Sequence, residues 1–66
     1  MKLTVDEKSD ALYLRLDDSK IVESEEVSPG VVLDFNELDQ MVGVEILGLS
    51  RRASKPNLKD FQFQTV

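Results

Sequence analysis

Residues 10–16 read DALYLRL. Leu12, Leu14 and Leu16 fall on one side of an alternating pattern, and Ala11, Tyr13 and Arg15 fall on the other. Successive side chains of a β-strand point to opposite faces. The leucine side is therefore suited to a core, and the Tyr13/Arg15 side faces water, a neighbouring strand or a partner. Whether Tyr13 and Arg15 brace the sheet or bind something is the main functional question that this stretch raises.

The same period of two recurs on both sides of it. Leu3 and Val5 mark a short strand near residues 2–6, joined to the quoted stretch by the polar run Asp6-Glu7-Lys8-Ser9-Asp10. Asp17-Asp18-Ser19-Lys20 is a second polar turn, built from residues that hydrogen-bond their own backbone. Residues 21–27 have β-branched ends around an acidic middle, Glu23, Glu25 and Glu26, which suits an exposed sheet edge. Ser28-Pro29-Gly30 is a turn in which proline presets φ and glycine supplies a positive φ. Val31 to Phe35 reads as a buried strand, Asn36 to Gln40 as a hairpin loop, and Val42 to Leu47 as a further strand. From Gly48 to Ser54 the alternation stops and a short helical turn is expected, closed by Pro56.

The expected fold is mainly β, with a small α+β domain as the variant. It is an antiparallel β-meander of four to five strands with a short C-terminal helical turn, because the connections are too short for parallel crossovers. Leu12, Leu14, Leu16, Val31, Leu33, Phe35, Val42, Val44 and Ile46 line one face. Residues 1–55 form a single domain, and residues 56–66 a tail. In that tail Phe61 and Phe63 alternate with glutamine, which favours a strand with one apolar side. Such a strand folds back on its own sheet, crosses to a second subunit, or stays disordered.

A chain of 66 residues buries only about 60% of its unfolded surface. It has no cysteine and no histidine, so disulfides and the usual transition-metal ligands are excluded. Self-association is the remaining remedy for a small core, and a homodimer is expected. No cofactor is expected. Residues 1–50 carry twelve acidic and four basic side chains, whereas residues 51–66 carry four basic and one acidic, for a chain total of −5. An acidic body repels phosphate, which argues against direct nucleic-acid binding. No apolar run reaches the roughly 20 residues that span a bilayer, and charge interrupts the N-terminus at Lys2. A cytoplasmic protein without membrane contact is expected.

Three segments, SDALYLRL, SPGVVLDF and MVGVEILGLSRR, together resemble a family of small bacterial and archaeal proteins, the domain of unknown function 2283. The matching positions are Asp10 to Tyr13, Gly30 with Val31, Asp34, and Gly43 to Leu47, within residues 1–53. The resemblance implies a compact β-rich domain without established activity. Some members are encoded beside small toxin-like proteins, so the resemblance implies, by association, an antitoxin or partner-binding role. The chain departs from the family in lacking a glycine in Glu37-Leu38-Asp39-Gln40, and in its extension beyond Pro56.

On the second face, Tyr13, Arg15, Val32, Asp34, Glu45 and Leu47 meet. One reading has Arg15 pair with Asp34 or Glu45 while Tyr13 covers the bare backbone of Gly43, each cross-strand ion pair contributing about 0.2–1 kcal/mol. The other makes this face an interface, since Tyr and Arg are enriched at binding hot spots. Asp34, Asn36 and Glu45 match three positions of an EF-hand loop, but Leu38 and Asp39 break the pattern. The leading function is a small protein-interaction module, antitoxin-like, for a basic partner. Its contact residues are Tyr13, Arg15, Glu23, Glu25, Glu26, Phe61 and Phe63. The alternative is a minimal enzyme using Asp34, Glu45 and Arg15.

Overall fold

The computed structural model describes residues 1–52 and 57–66. Five strands form one open antiparallel sheet: β1 (Lys2–Asp6), β2 (Ala11–Arg15), β3 (Glu23–Ser28), β4 (Val31–Phe35) and β5 (Met41–Leu47). A single 3-10 turn, Leu49–Arg51, follows β5. The fold is mainly β, as the alternation predicts. The end of the expected helical turn, its closure by Pro56 and the boundary between domain and tail lie outside the described residues.

Each turn has a local cause. Asp6 Oδ1 accepts the N–H groups of Lys8 (3.1 Å) and Ser9 (3.2 Å), which folds the chain from β1 towards β2. Gly30 takes φ 77°, the positive value that the Pro29-Gly30 turn requires. In the β4–β5 hairpin the positive φ falls on Asp39, at 60°. Asn36, only 7% exposed, organises that loop: its Oδ1 accepts the N–H groups of Leu38 and Gln40, both at 3.0 Å.

The strand order is β1-β2-β5-β4-β3. A meander thus runs through β3, β4 and β5, and the β1–β2 hairpin attaches to the free side of β5. Leu12 stands opposite Ile46, Tyr13 opposite Glu45 and Leu14 opposite Val44. The pairings make β2 and β3 antiparallel, so the link between them stays at one end of the sheet. It spans three strand spacings, about 14 Å, which residues 16–22 reach without strain. β5 takes the centre because Val42, Val44 and Ile46 suit a strand paired on both sides.

The registers put Leu12, Leu14, Val31, Leu33, Val44 and Ile46 on one face. Leu3 and Val5, opposite Leu14 and Leu12, extend it onto β1. These pairings place six of the nine expected residues on the face; Leu16 lies past the end of β2, and a register shift separates Phe35 from Asp34. Among the described residues the main contacts between elements run along the sheet, from each strand to its hydrogen-bonded neighbour. Val42, at 3% exposed, is the one buried hydrophobic residue among those described. The leucines of β2 are only half-buried.

Candidate functional site

The second face is built around Gly43, at the centre of β5. Arg15 and Asp34 stand opposite Gly43 from the two flanking strands. Without a side chain there, the Tyr13 ring lies across the gap. A Cβ on Gly43 would collide with the Tyr13 hydroxyl and stand 3.1 Å from Asp34 Oδ2. The Tyr13 hydroxyl donates to Asp34 Oδ2 at 2.5 Å, and the Ser24 hydroxyl donates to Asp34 Oδ1 at 2.5 Å. One carboxylate thus ties β2, β4 and the edge strand β3 together across the bare backbone of β5. Partial burial pushes the Tyr13 phenol above its usual 10.0, and the hydrogen bond to the Asp34 carboxylate adds to the rise.

Arg15 behaves differently from its expected cross-strand pairing. Its Nε donates to the Asp17 carbonyl and its Nη2 to the Ser19 carbonyl, both at 2.5 Å. The guanidinium therefore stays local and clamps the chain as it leaves β2. Carbonyl groups close in sequence offer a planar fork two acceptors in fixed geometry. Asp34 is already engaged by two hydroxyl donors, so the expected pairing with Asp34 gives way.

The other candidate residues are dispersed. Glu23, Glu25 and Glu26 lie on β3, an outer strand of the sheet whose residues are all exposed. Glu23 and Glu25 stand opposite Phe35 and Leu33, on the rim of the aliphatic face, while Glu26 stands opposite Val32 on the Tyr13 face. Phe61 and Phe63 belong to no strand and are 46% and 92% exposed. The structure therefore brings Tyr13 and Arg15 onto one face, and leaves the glutamates and phenylalanines as separate surfaces.

Asp34, Glu45 and Arg15 share a face without forming a cleft. Arg15 lines one shallow depression with Met1, Lys2 and Asp17, and Glu45 lines another with Thr4, Asp6 and Tyr13. The EF-hand-like trio is also dissolved, because Asn36 spends its side-chain oxygen on its own loop. Among the described residues no group of three or more Asp or Glu side chains is placed to hold a metal ion, and no helix is long and apolar enough to cross a membrane.

Two polar residues join the framework without having been singled out as site residues. Ser24 is a small hydroxyl among three glutamates, a local break in charge that marks the place where the edge strand is pinned. Arg52 donates through Nε to the Leu47 carbonyl (3.1 Å) and through Nη2 to the Pro29 carbonyl (2.6 Å). It staples the β3–β4 turn to the end of β5. Part of the basic C-terminal charge is thereby used on carbonyl groups.

Fold and face together define a small open-sheet β protein with a tyrosine–carboxylate brace and an acidic edge. The chain matches the family model described as "Protein of unknown function (DUF2283)" over residues 2–50, and it belongs to that family. No curated protein and no solved structure matches it.

Proposed function

We propose that the protein is a cytoplasmic protein-interaction module that presents the acidic edge strand β3 to a basic partner, in an antitoxin-like role. One observation carries this reading: β3 is an outer strand of an open sheet, fully exposed, with Glu23, Glu25 and Glu26 in four consecutive positions. An outer strand retains unpaired backbone groups on its free side. Carboxylates along it attract cations at long range and repel a second acidic chain, so the edge selects for positive partners. The toxin-like neighbourhood implied by the family resemblance gives such a partner a source.

The framework described above serves this role. Ser24 sits between Glu23 and Glu25, and its bond to Asp34 holds the edge in register with the sheet. The test is capture of the adjacent gene's product by the immobilised full chain at low and high salt. Capture at low salt that weakens as salt rises, and is lost in a variant carrying Glu23→Gln, Glu25→Gln and Glu26→Gln, is the expected result. Absence of capture at every salt concentration rejects the reading.

A further inference from the structure

The aliphatic face of the sheet is the largest feature that the acidic-edge reading leaves unused. Leu12, Leu14, Val31, Leu33, Val44 and Ile46 form a continuous apolar surface across the four strands β2, β5, β4 and, through Leu3 and Val5, β1. Each of the six is only partly buried, and among the described residues the main contacts between strands are those of hydrogen-bonded neighbours. We propose that this face is where a second copy of the same chain docks, the two sheets closing into a β-sandwich with the leucines and valines between them.

The exposed area points to such an occupant. A compact monomer of 7.5 kDa is expected to expose about 4,200 Å², whereas this chain exposes 5366 Å². The excess, about 1,100 Å², includes the extended tail and is of the order that one partner loses in a standard interface, about 800 Å². At the end of the tail Phe63 is 92% exposed, and Phe61 keeps 46% of its surface exposed, so neither ring is buried against the sheet.

The chemistry of the face favours a copy of itself over a foreign chain. Its centre carries no charge or hydrogen-bonding side chain that would select a different sequence, and a two-fold axis through β5 sets aliphatic groups against aliphatic groups. Glu23 and Glu25 stand at its margin, where an interface keeps its polar rim. Sheets packed this way sit about 10 Å apart, the thickness of one interdigitated side-chain layer. Pairing two β3 edges instead would bring glutamates against glutamates.

This proposal is independent of the acidic-edge reading, and salt separates the two. Each copy carries −5, so added salt relieves repulsion between copies and tightens the dimer, while it weakens capture of a basic partner. The experiment starts from the full chain in solution. Light scattering is expected to give twice 7.5 kDa, with dissociation on dilution shifting to lower protein concentration as salt rises. In a sample mixed from isotope-labelled and unlabelled copies, methyl contacts between copies are expected among Leu14, Leu33 and Val44. Leu33→Glu is expected to yield a monomer. Because that variant also risks unfolding, the mixed-label measurement on the unaltered chain decides. A monomer overturns the proposal. So does a dimer whose intermolecular contacts fall only on Tyr13 and Thr4, on the β1 or β3 edges, or on Phe61 and Phe63.

Discussion

At the residue scale, Tyr13 is a brace. Its ring fills the space that Gly43 leaves and its hydroxyl reaches Asp34, so the phenol is held in its neutral, donating form. A raised folded-state pKa contributes stability that is complete below the unfolded value, near 10.0, and is lost as pH rises through the folded value. Tyr13 is the chain's sole tyrosine and there is no tryptophan, so its ultraviolet titration is unobscured. The transition is expected above 10.0 in the native protein and nearer to it in Asp34→Asn; equal midpoints would remove Asp34 from the account. A second residue-scale prediction concerns the two aspartates with positive φ. Asp39 occupies the left-handed region at 60°, where a side chain costs energy that glycine avoids. Asp39→Gly should stabilise the fold by up to about 1 kcal/mol, read from the urea midpoint. Asp10, at 52°, should respond in the opposite direction. Its carboxylate accepts both the Ser50 N–H (2.9 Å) and the Ser50 hydroxyl (2.6 Å), which Asp10→Gly would abolish.

At the element scale, the strands were legible and their order was not. Alternation places Leu3/Val5, Leu12/Leu14 and Val31/Leu33 on strands because a period of two survives whatever the neighbour is. That same generality hides the partner: β2 offers one apolar and one polar side to β3 and to β5 alike. Only the acidity of Glu23, Glu25 and Glu26 hints that β3 belongs at an edge. Tyr13 over Gly43 was readable, since an aromatic side chain and a glycine on one face complement each other. The Arg15 clamp on Asp17 and Ser19 was not readable, because every residue carries a carbonyl. Hydrogen bonds of this kind set how the connections respond to acid. Bonds from Ser50 hold Asp10 below the usual carboxylate range, those from Ser9 do so for Asp6, and those from Ser19 for Asp17. Depressed folded-state values contribute stability that is complete above the ordinary value of 3.8 and is lost as pH falls through the folded values. The urea midpoint should therefore fall on acidification below pH 3.8, and fall less steeply in Ser50→Ala. At the other end of β5, Arg52→Ala removes two bonds to exposed carbonyls. It should cost towards the low end of about 0.5–1.5 kcal/mol, measured by the same titration.

At the scale of the whole molecule, the question is how an open sheet of 66 residues stays folded. Val42 is the single buried hydrophobic residue among those described, and the leucines of β2 are only partly buried. A small domain with a complete core gains only about 3–5 kcal/mol, and here the aliphatic face is only partly buried. Docking a second copy on the aliphatic face removes that area from water, and burial there contributes roughly 25 cal/mol for each Å². Folding and association then become one equilibrium, and the thermal midpoint depends on protein concentration by mass action. The midpoint is expected to rise steadily as the chain is concentrated, and Leu14→Ala should lower it at every concentration. Glu45→Gln, on the opposite face, should leave the slope of midpoint against concentration unchanged. A midpoint that does not move across a hundredfold change in concentration would mean that the sheet is stable by itself. The half-buried leucines would then be sufficient as they stand, and the open face would have no part in folding.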